Sequence, residues 1–510
     1  MVAKVFSQAV YGVDAFVVEV EVDVSKGKPM FNTVGLPEGA VKESKDRVKA
    51  ALINSHYYYP PEHITVNLAP ADVRKEGPSL DLPIAVGLLA ALERVQRERL
   101  RDYCLVGELS LDGAVKSVSG VLPLALGAQA AGFRGILVPL DNAAEAAVVE
   151  SIEVIPVASL REAVLFLNGE TAIVPHRVDL EEVFGRTSHY AADFADVKGQ
   201  ESAKRALEIA AAGSHNVIMI GPPGSGKTML AKRLPSILPD MALEESIETT
   251  KIHSIAGLVN ARESLIATRP FRSPHHTVSN IAMIGGGTIP KPGEVSLAHN
   301  GVLFLDEMPE FTRMVLEVLR QPMEDGHVNI SRASMSLSFP ARFILCGSMN
   351  PCPCGFSTDP TKNCECLPQQ IQKYRNRLSG PLLDRIDLHI DVPAVPVREL
   401  AKRDGFGEPS AAIRGRVNAA RDRQRHRYHG LKHIHCNAHL GTREVKKFCP
   451  MTEEAQTTLE SALNLLGLSA RAYDRIIKVA RTVADLSGVD TIDAEHVSEA
   501  INYRTLDRSA

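Results

Sequence analysis

Two short stretches hold the residue types that phosphate chemistry needs. Gly221-Pro222-Pro223-Gly224-Ser225-Gly226-Lys227-Thr228 matches G-x-x-x-x-G-K-[ST] in full. Gly221, Gly224 and Gly226 let backbone N–H groups turn inward around phosphate oxygens, at the positive end of a following helix. Lys227 would reach the β- and γ-phosphates of ATP, and the Thr228 hydroxyl would hold Mg²⁺. Downstream, Gly301-Val302-Leu303-Phe304-Leu305-Asp306-Glu307 places two carboxylates after four apolar residues. Asp306 would hold the same Mg²⁺, directly or through water, while Glu307 would orient and polarise an attacking water.

A third constellation is suited to a metal of another kind. Cys352-Pro353-Cys354 and Cys364-Glu365-Cys366 are two C-x-C pairs within residues 352–366. Such pairs can bring four thiolates around one tetrahedral Zn²⁺, a closed and structural site. Reduced thiols without metal are the alternative, since the chain's eight cysteines are too few for a disulfide scaffold.

The elements needed to position these groups are legible around them. Val217-Ile218-Met219-Ile220 reads as a short buried strand feeding the phosphate loop, and the residues from Met229 as a helix. Val302 to Leu305 reads as a second buried strand that ends at the carboxylates. Phe343-Ile344-Leu345-Cys346-Gly347-Ser348-Met349-Asn350 reads as a third, and Val328–Arg332 with Ser336–Phe339 as a β-hairpin. Between loop and carboxylates lie Phe271-Arg272-Ser273-Pro274-His275-His276-Thr277 and the glycine-rich Ile284-Gly285-Gly286-Gly287. Adjacent histidines rarely converge on one ion, so a loop-orienting role for His275 and His276 is preferred to metal binding. The glycine loop suits an insertion that projects into the pore of a ring.

Residues 1–165 precede this core with a pattern of their own. Phe16 to Val24 alternates apolar and acidic residues as a half-buried strand does, and Ile64 to Leu68 follows suit. Helical spacing covers Val41–Asn54 and Leu122–Ala131, an apolar helix spans Ile84–Leu92, and strands are expected at Cys104–Leu109 and Gly135–Val138. Together they describe an α+β domain. Residues 166–195 are polar, weakly periodic and expected to be a linker.

The C-terminal residues 396–510 open with a basic run. Arg414, Arg416, Arg421, Arg423, Arg425, Arg427 and Lys432 are opposed only by Asp422. Such a run is either a solvated helix face or a surface for phosphate backbones. Helical segments follow at Ala455–Leu466 and Ala472–Leu486.

Composition sets the outer limits. The 510 residues are 45% hydrophobic and 23% charged, with formal net charge −4, so any nucleic-acid surface must be local. Length allows about three domains. Without a membrane-length apolar run or a secretory N-terminus, the expected location is the cytoplasm, with no membrane partner.

Several motifs resemble known families. Val34-Gly35-Leu36-Pro37, Lys75-Glu76-Gly77-Pro78-Ser79 and Val106-Gly107-Glu108-Leu109-Ser110-Leu111-Asp112-Gly113 resemble the proteolytic domain of Lon, a ribosomal S5 domain 2-like fold. Ser79 falls on that family's serine, but the lysine position falls in Leu122-Pro123-Leu124, most naturally on Leu124. No base is offered there, so a Lon-like fold without peptidase activity is expected.

Asp196-Val197-Lys198-Gly199-Gln200 and residues 196–395 resemble the AAA+ ATPase core, in the branch of magnesium chelatase and MCM helicases. That resemblance implies that Asn350 lies between the carboxylates and the γ-phosphate. It makes Arg385, in Pro381-Leu382-Leu383-Asp384-Arg385-Ile386-Asp387, a trans-acting arginine, and the C-terminal helices a helical lid. Arg471, at the start of a lid helix, would touch nucleotide in cis. An α/β fold follows: an AAA+ P-loop domain behind a Lon-like domain.

Taken over nearly the whole chain, these features resemble the ComM/YifB family of magnesium-chelatase-like ATPases. The resemblance implies a hexameric DNA helicase that drives branch migration while single-stranded DNA is integrated in natural transformation. Its partners would be single-stranded and branched DNA, copies of itself, and recombinase–DNA filaments. A metal-insertion ATPase subunit for a tetrapyrrole and an ATP-dependent unfoldase or protease are the alternatives.

Overall fold

The computed structural model describes the 510-residue chain apart from residues 1, 188–189, 191, 261–263, 288–289, 333–334, 360–361, 396–406, 432, 467–469, 505 and 507–510, and the side chains of 186–187, 332, 335, 466 and 470–471. The chain divides into two compact units. The first takes residues 1–188 together with 243–267 and 331–339, and the second takes 189–242, 268–330 and 340–510.

The first unit is built on a seven-stranded mixed sheet. Its order is Met30–Val34, His63–Ala69, Asp14–Ser25, Ala3–Tyr11, Tyr103–Leu105, Gly135–Pro139, Glu153–Val157. Ala3–Tyr11 and His63–Ala69 flank Asp14–Ser25 antiparallel, with Val20 opposite Val5 on one side and Leu68 on the other. Val18, Val20 and Val22 are fully buried while the intervening acids face outward, as the alternation requires. The helix Asp81–Ala91 is apolar on nearly every side and is buried along almost its whole length.

Expectation and structure differ in four places. The strand expected over Cys104–Leu109 stops at Leu105, and Glu108–Leu109 pairs instead with Val115–Lys116 as a small hairpin. The expected linker holds a helix, Leu180–Thr187, whose Leu180, Val183 and Phe184 pack on the apolar cluster of this unit. Three apolar residues at i, i+3 and i+4 make one helical stripe, which the polar surroundings masked. The strands Ala3–Tyr11, Met30–Val34 and Glu153–Val157 have no counterpart in the sequence expectation. Finally, the helix Leu243–Ile255 belongs to this first unit although it follows the phosphate loop in sequence. Leu265 joins the buried cluster, and Ser254 Oγ donates to the buried carboxylate of Glu145.

The second unit carries a five-stranded, all-parallel sheet. Its order is Phe271–Arg272, Val302–Leu305, Ile344–Met349, Val217–Ile220, Leu388–Asp391. Every residue of the three central strands is buried, so the strands read as continuous apolar runs rather than alternating ones. His327–Arg332 and Met335–Pro340 form the expected hairpin, of which residues 331–339 are counted with the first unit. The helices Glu453–Leu466, Ala470–Leu486 and Ala494–Asn502 share this unit's apolar cluster with the sheet. Among the described residues, no helix is long and apolar enough to cross a membrane.

Candidate nucleotide site and cysteine cluster

In a parallel sheet, the loops beyond the carboxyl ends of the strands are where ligands collect. The strand Val217–Ile220 ends in the phosphate loop, and Val302–Leu305 ends at Asp306. Ile344–Met349, which ends at Asn350, is paired with both of them. Strand order alone therefore places Asn350 between loop and carboxylates.

The loop has the backbone that its glycines permit. Gly224 and Gly226 adopt φ of +77° and +90°, and the helix Lys227–Ile237 starts immediately after. Gly221 has no room for a side chain, because a Cβ there would run into the carbonyl of Val392. Gln200 Nε2 donates to Ser225 O at 2.6 Å, tying the segment ahead of the domain to the loop.

Lys227 Nζ donates to Gly221 O at 2.7 Å and to Pro222 O at 2.9 Å, and lies 3.4 Å from Asn350 Oδ1. Burial pushes its ammonium below the ordinary lysine range, against the pull of Asp306 and Glu307. The Thr228 hydroxyl donates to Asp306 Oδ2 at 2.8 Å. Ser348 completes the group: its hydroxyl donates to Asp306 Oδ1 and accepts from the Glu307 N–H at 3.1 Å. Glu307 itself is exposed and holds φ of +51°, a conformation that costs a non-glycine residue roughly 1 kcal/mol or more.

Does this arrangement fit a nucleotide and its metal? The buried Ser225 Oγ has no hydrogen-bond partner, and a Cβ at Gly224 would meet nothing within 4 Å. An open, donor-lined loop around an unsatisfied hydroxyl, with a hydroxyl and a carboxylate already adjoining, suits a phosphate chain and a hard cation.

Arg385, the expected trans-acting arginine, is held by groups of its own chain. It is only 9% exposed, its guanidinium is ion-paired with Glu324, and Nη1 donates to Pro381 O at 2.5 Å. Its carbonyl accepts from Asn216 Nδ2 at 3.0 Å, at the foot of the loop-bearing strand. Asp387, two residues on, accepts from Arg475 at 2.5 Å and from the Asn216 N–H at 3.2 Å. Burial would raise this carboxyl, but Arg475 and His215 hold it well below the usual range. The side chain of Arg471 lies outside the described residues; its helix, Ala470–Leu486, is present.

The four cysteines converge. The sulfurs of Cys352, Cys354, Cys364 and Cys366 all lie within 4.8 Å of one another. Three of the separations are 3.4, 3.7 and 3.6 Å. A tetrahedron with metal–sulfur bonds of about 2.3 Å has edges of about 3.8 Å, so the cluster fits one zinc. These separations are far from the ~2.05 Å of a disulfide. Hydrogen bonding from the Phe356 backbone helps draw the Cys354 thiol down to about 6, while burial and the neighbouring sulfurs push Cys364 and Cys366 up, so a metal bound here would displace protons. His275 and His276 instead lie against each other, ring centres 4.0 Å apart and tilted by 36°, with His276 edge-on to Phe311.

Five arginines of the basic run are tied to other parts of the fold, whereas the exposed Arg425 meets Asp422 of its own helix and Lys432 lies outside the described residues. In the helix Ser410–Arg427, Arg416 pairs with Glu208 and Glu408, Arg414 with Asp240, Arg423 with Asp490, and Arg427 with the buried Asp485. Arg421 donates to Ala211 O and to Ser214 Oγ. The compensating acids come from four other parts of the chain, which a local charge count cannot see. Ser348 has no role in the sequence expectation, and Gln200 enters it only as part of the Asp196–Gln200 segment. Ser348 had a usable signal: it stands two residues before Asn350 and so shares its face of the strand.

Loop, carboxylates and interposed polar residue on an all-parallel sheet define a nucleotide domain of AAA+ type. Residues 193–400 match the family model for magnesium chelatase, subunit ChlI, residues 20–142 that for subunit ChlI of Mg-chelatase, and 407–504 that for the ChlI C-terminal region. Competence protein ComM of Haemophilus influenzae is 47% identical across 99% of this chain and 98% of its own length. Protein YifB of Escherichia coli is 46% identical across 99% of this chain and 97% of its own. The magnesium-chelatase 38 kDa subunit of Rhodobacter capsulatus is 27% identical across 31% of this chain and 50% of its own. The chain belongs to the magnesium-chelatase-like family of ComM and YifB.

Proposed function

We propose that the protein is an ATP-driven DNA helicase that promotes branch migration while incoming single-stranded DNA is integrated in natural transformation. The observation that carries the ATPase part is the convergence of Lys227, Thr228, Asp306, Glu307 and Asn350 at the tips of three paired strands. What supports the DNA role is the full-length likeness to a competence protein, set against the partial likeness to a chelatase subunit.

In this reading Lys227 leaves the Gly221 and Pro222 carbonyls for the phosphates, whose charge repays its desolvation. Mg²⁺, held between Thr228 and Asp306, would neutralise charge developing on the transferred phosphoryl group. Glu307 orients the attacking water, and its strained backbone aims the side chain outward. Asn350 contacts the γ-phosphate. Arg385 exchanges Glu324 for the nucleotide of a neighbouring subunit in a homo-hexamer. Arg471 senses nucleotide in cis from the helical lid. The N-terminal unit is a Lon-like scaffold without peptidase activity, since Leu124 is 1% exposed within an apolar cluster.

The deciding experiment measures ATP hydrolysis with no DNA, with single-stranded DNA and with forked DNA, on wild type and on Lys227→Ala. Stimulation by DNA that vanishes in the variant is the expected result. A rate indifferent to DNA but raised by a porphyrin would overturn the helicase reading in favour of metal insertion.

A further inference from the structure

The cysteine cluster does not stand apart from the nucleotide site. It begins two residues after Asn350, and Cys352 is completely buried. Gly355, inside the cluster, lies flat against the phosphate loop. A Cβ added there would come within 2.5 Å of Pro223 Cδ, 2.7 Å of Pro223 Cγ and 3.9 Å of Asn350 Cγ. Its φ of +88° is one that a side chain would strain.

The turn that presents Gly355 is held by the cluster's own atoms. Gly355 N–H donates to Cys352 O at 3.0 Å. The Cys354 N–H donates to Cys366 Sγ at 3.4 Å, and the Ser357 N–H to Cys352 Sγ at 3.3 Å. On the other side the cluster is anchored by the helix Pro368–Arg375, whose Arg375 Nε donates to Pro351 O at 3.4 Å. Pro223, itself exposed, therefore meets on one side a turn whose N–H groups are tied to the cluster's atoms.

We propose that this thiolate clip is the back wall of the phosphate loop, so that Zn²⁺ bound by the four cysteines sets nucleotide affinity through the Gly355–Pro223 contact. The four sulfurs lie at the separations that tetrahedral coordination of one Zn²⁺ requires, so the bound ion would fix their positions. With zinc bound, the turn is fixed, Gly355 abuts Pro223, and the Lys227–Asn350 pair is preorganised for phosphate. Without it, the turn relaxes and the loop loses its support from behind. Gly355 and Pro223 are positioning residues here; neither needs to touch the reacting atoms. The inference rests on the nucleotide-site reading above.

The test uses the full chain and three readouts: zinc content per chain, affinity for a fluorescent non-hydrolysable ATP analogue, and amide hydrogen exchange over residues 221–228. Gly355→Ala is expected to keep one zinc per chain yet lose about tenfold in affinity, with faster exchange in the loop. Withdrawal of zinc from wild type by a chelator is expected to do the same, and re-addition of Zn²⁺ to reverse it. Lys227→Ala supplies the baseline without phosphate binding. Unchanged affinity and exchange after zinc withdrawal would overturn the proposal. A wild type that binds no analogue would instead defeat the nucleotide reading, and the exchange readout would still judge the contact by itself.

Discussion

The Thr228 hydroxyl donates to Asp306 Oδ2 at 2.8 Å, joining two residues 78 positions apart, one in the first turn of the helix after the phosphate loop and one at the end of a strand. A hydroxyl and a carboxylate that already touch need only part slightly to admit a small octahedral cation. Thr228→Ala and Asp306→Asn are each expected to cut Mg²⁺-dependent ATP hydrolysis by at least about 100-fold. Melting temperature should change little, since both side chains are partly exposed. A magnesium titration of the hydrolysis rate checks it, and near-normal rates in either variant would count against a shared ion.

Arg385 gives a prediction of the opposite kind, a loss of rate without a loss of binding. Removal of a trans-acting arginine slows phosphoryl transfer by about 10³-fold or more. Arg385→Ala should therefore bind ATP as tightly as wild type and hydrolyse it hardly at all. Mixed with the hydrolysis-dead Glu307→Gln, it should recover activity only if subunits share sites. Equal loss of binding and turnover would show a structural role, through Glu324 and the Pro381 carbonyl.

Glu145 gives the first unit a pH dependence. Burial pushes its carboxyl above the ordinary range, although Ser254, the Leu122 N–H and Asn142 all donate to it. The folded state thus holds this proton more tightly than the unfolded chain. Its contribution is present below the unfolded value of about 4.5 and is lost as pH rises through the raised one. Glu145→Gln removes the titration while keeping an acceptor for Leu122 and Ser254. Melting at pH 7 should show the variant more stable than wild type, with the gap closing as pH falls to the unfolded value of about 4.5. A gap independent of pH would sink this account.

The arginine-rich helix is expected to affect stability, not DNA. Arg427→Ala leaves Asp485, which is fully buried, with one fewer cation and should cost about 2 kcal/mol in a denaturant titration. The slope of log affinity for single-stranded DNA against log salt should not move, because this guanidinium has no vacancy for a phosphate. A slope reduced by about one unit would restore the helix to the DNA surface.

Local spacing was enough to single out residues that the fold brings together. The phosphate loop, the paired carboxylates after an apolar strand and the two C-x-C pairs are short motifs, and their function follows from backbone geometry spanning only a few residues. The apolar strands feeding them were legible for the same reason: a parallel strand covered on both faces must be a continuous apolar run. Only the tertiary structure could decide which distant groups answer these motifs. It places Glu324 on Arg385, Asp485 on Arg427 and Glu208 on Arg416, since a charge is satisfied by distance in space and not in sequence. It assigns residues 243–267 to the first unit because Leu265 and Ile247 bury their apolar surface there. And it sets Gly355 against Pro223, a contact made by the absence of a side chain, which residue type alone does not reveal.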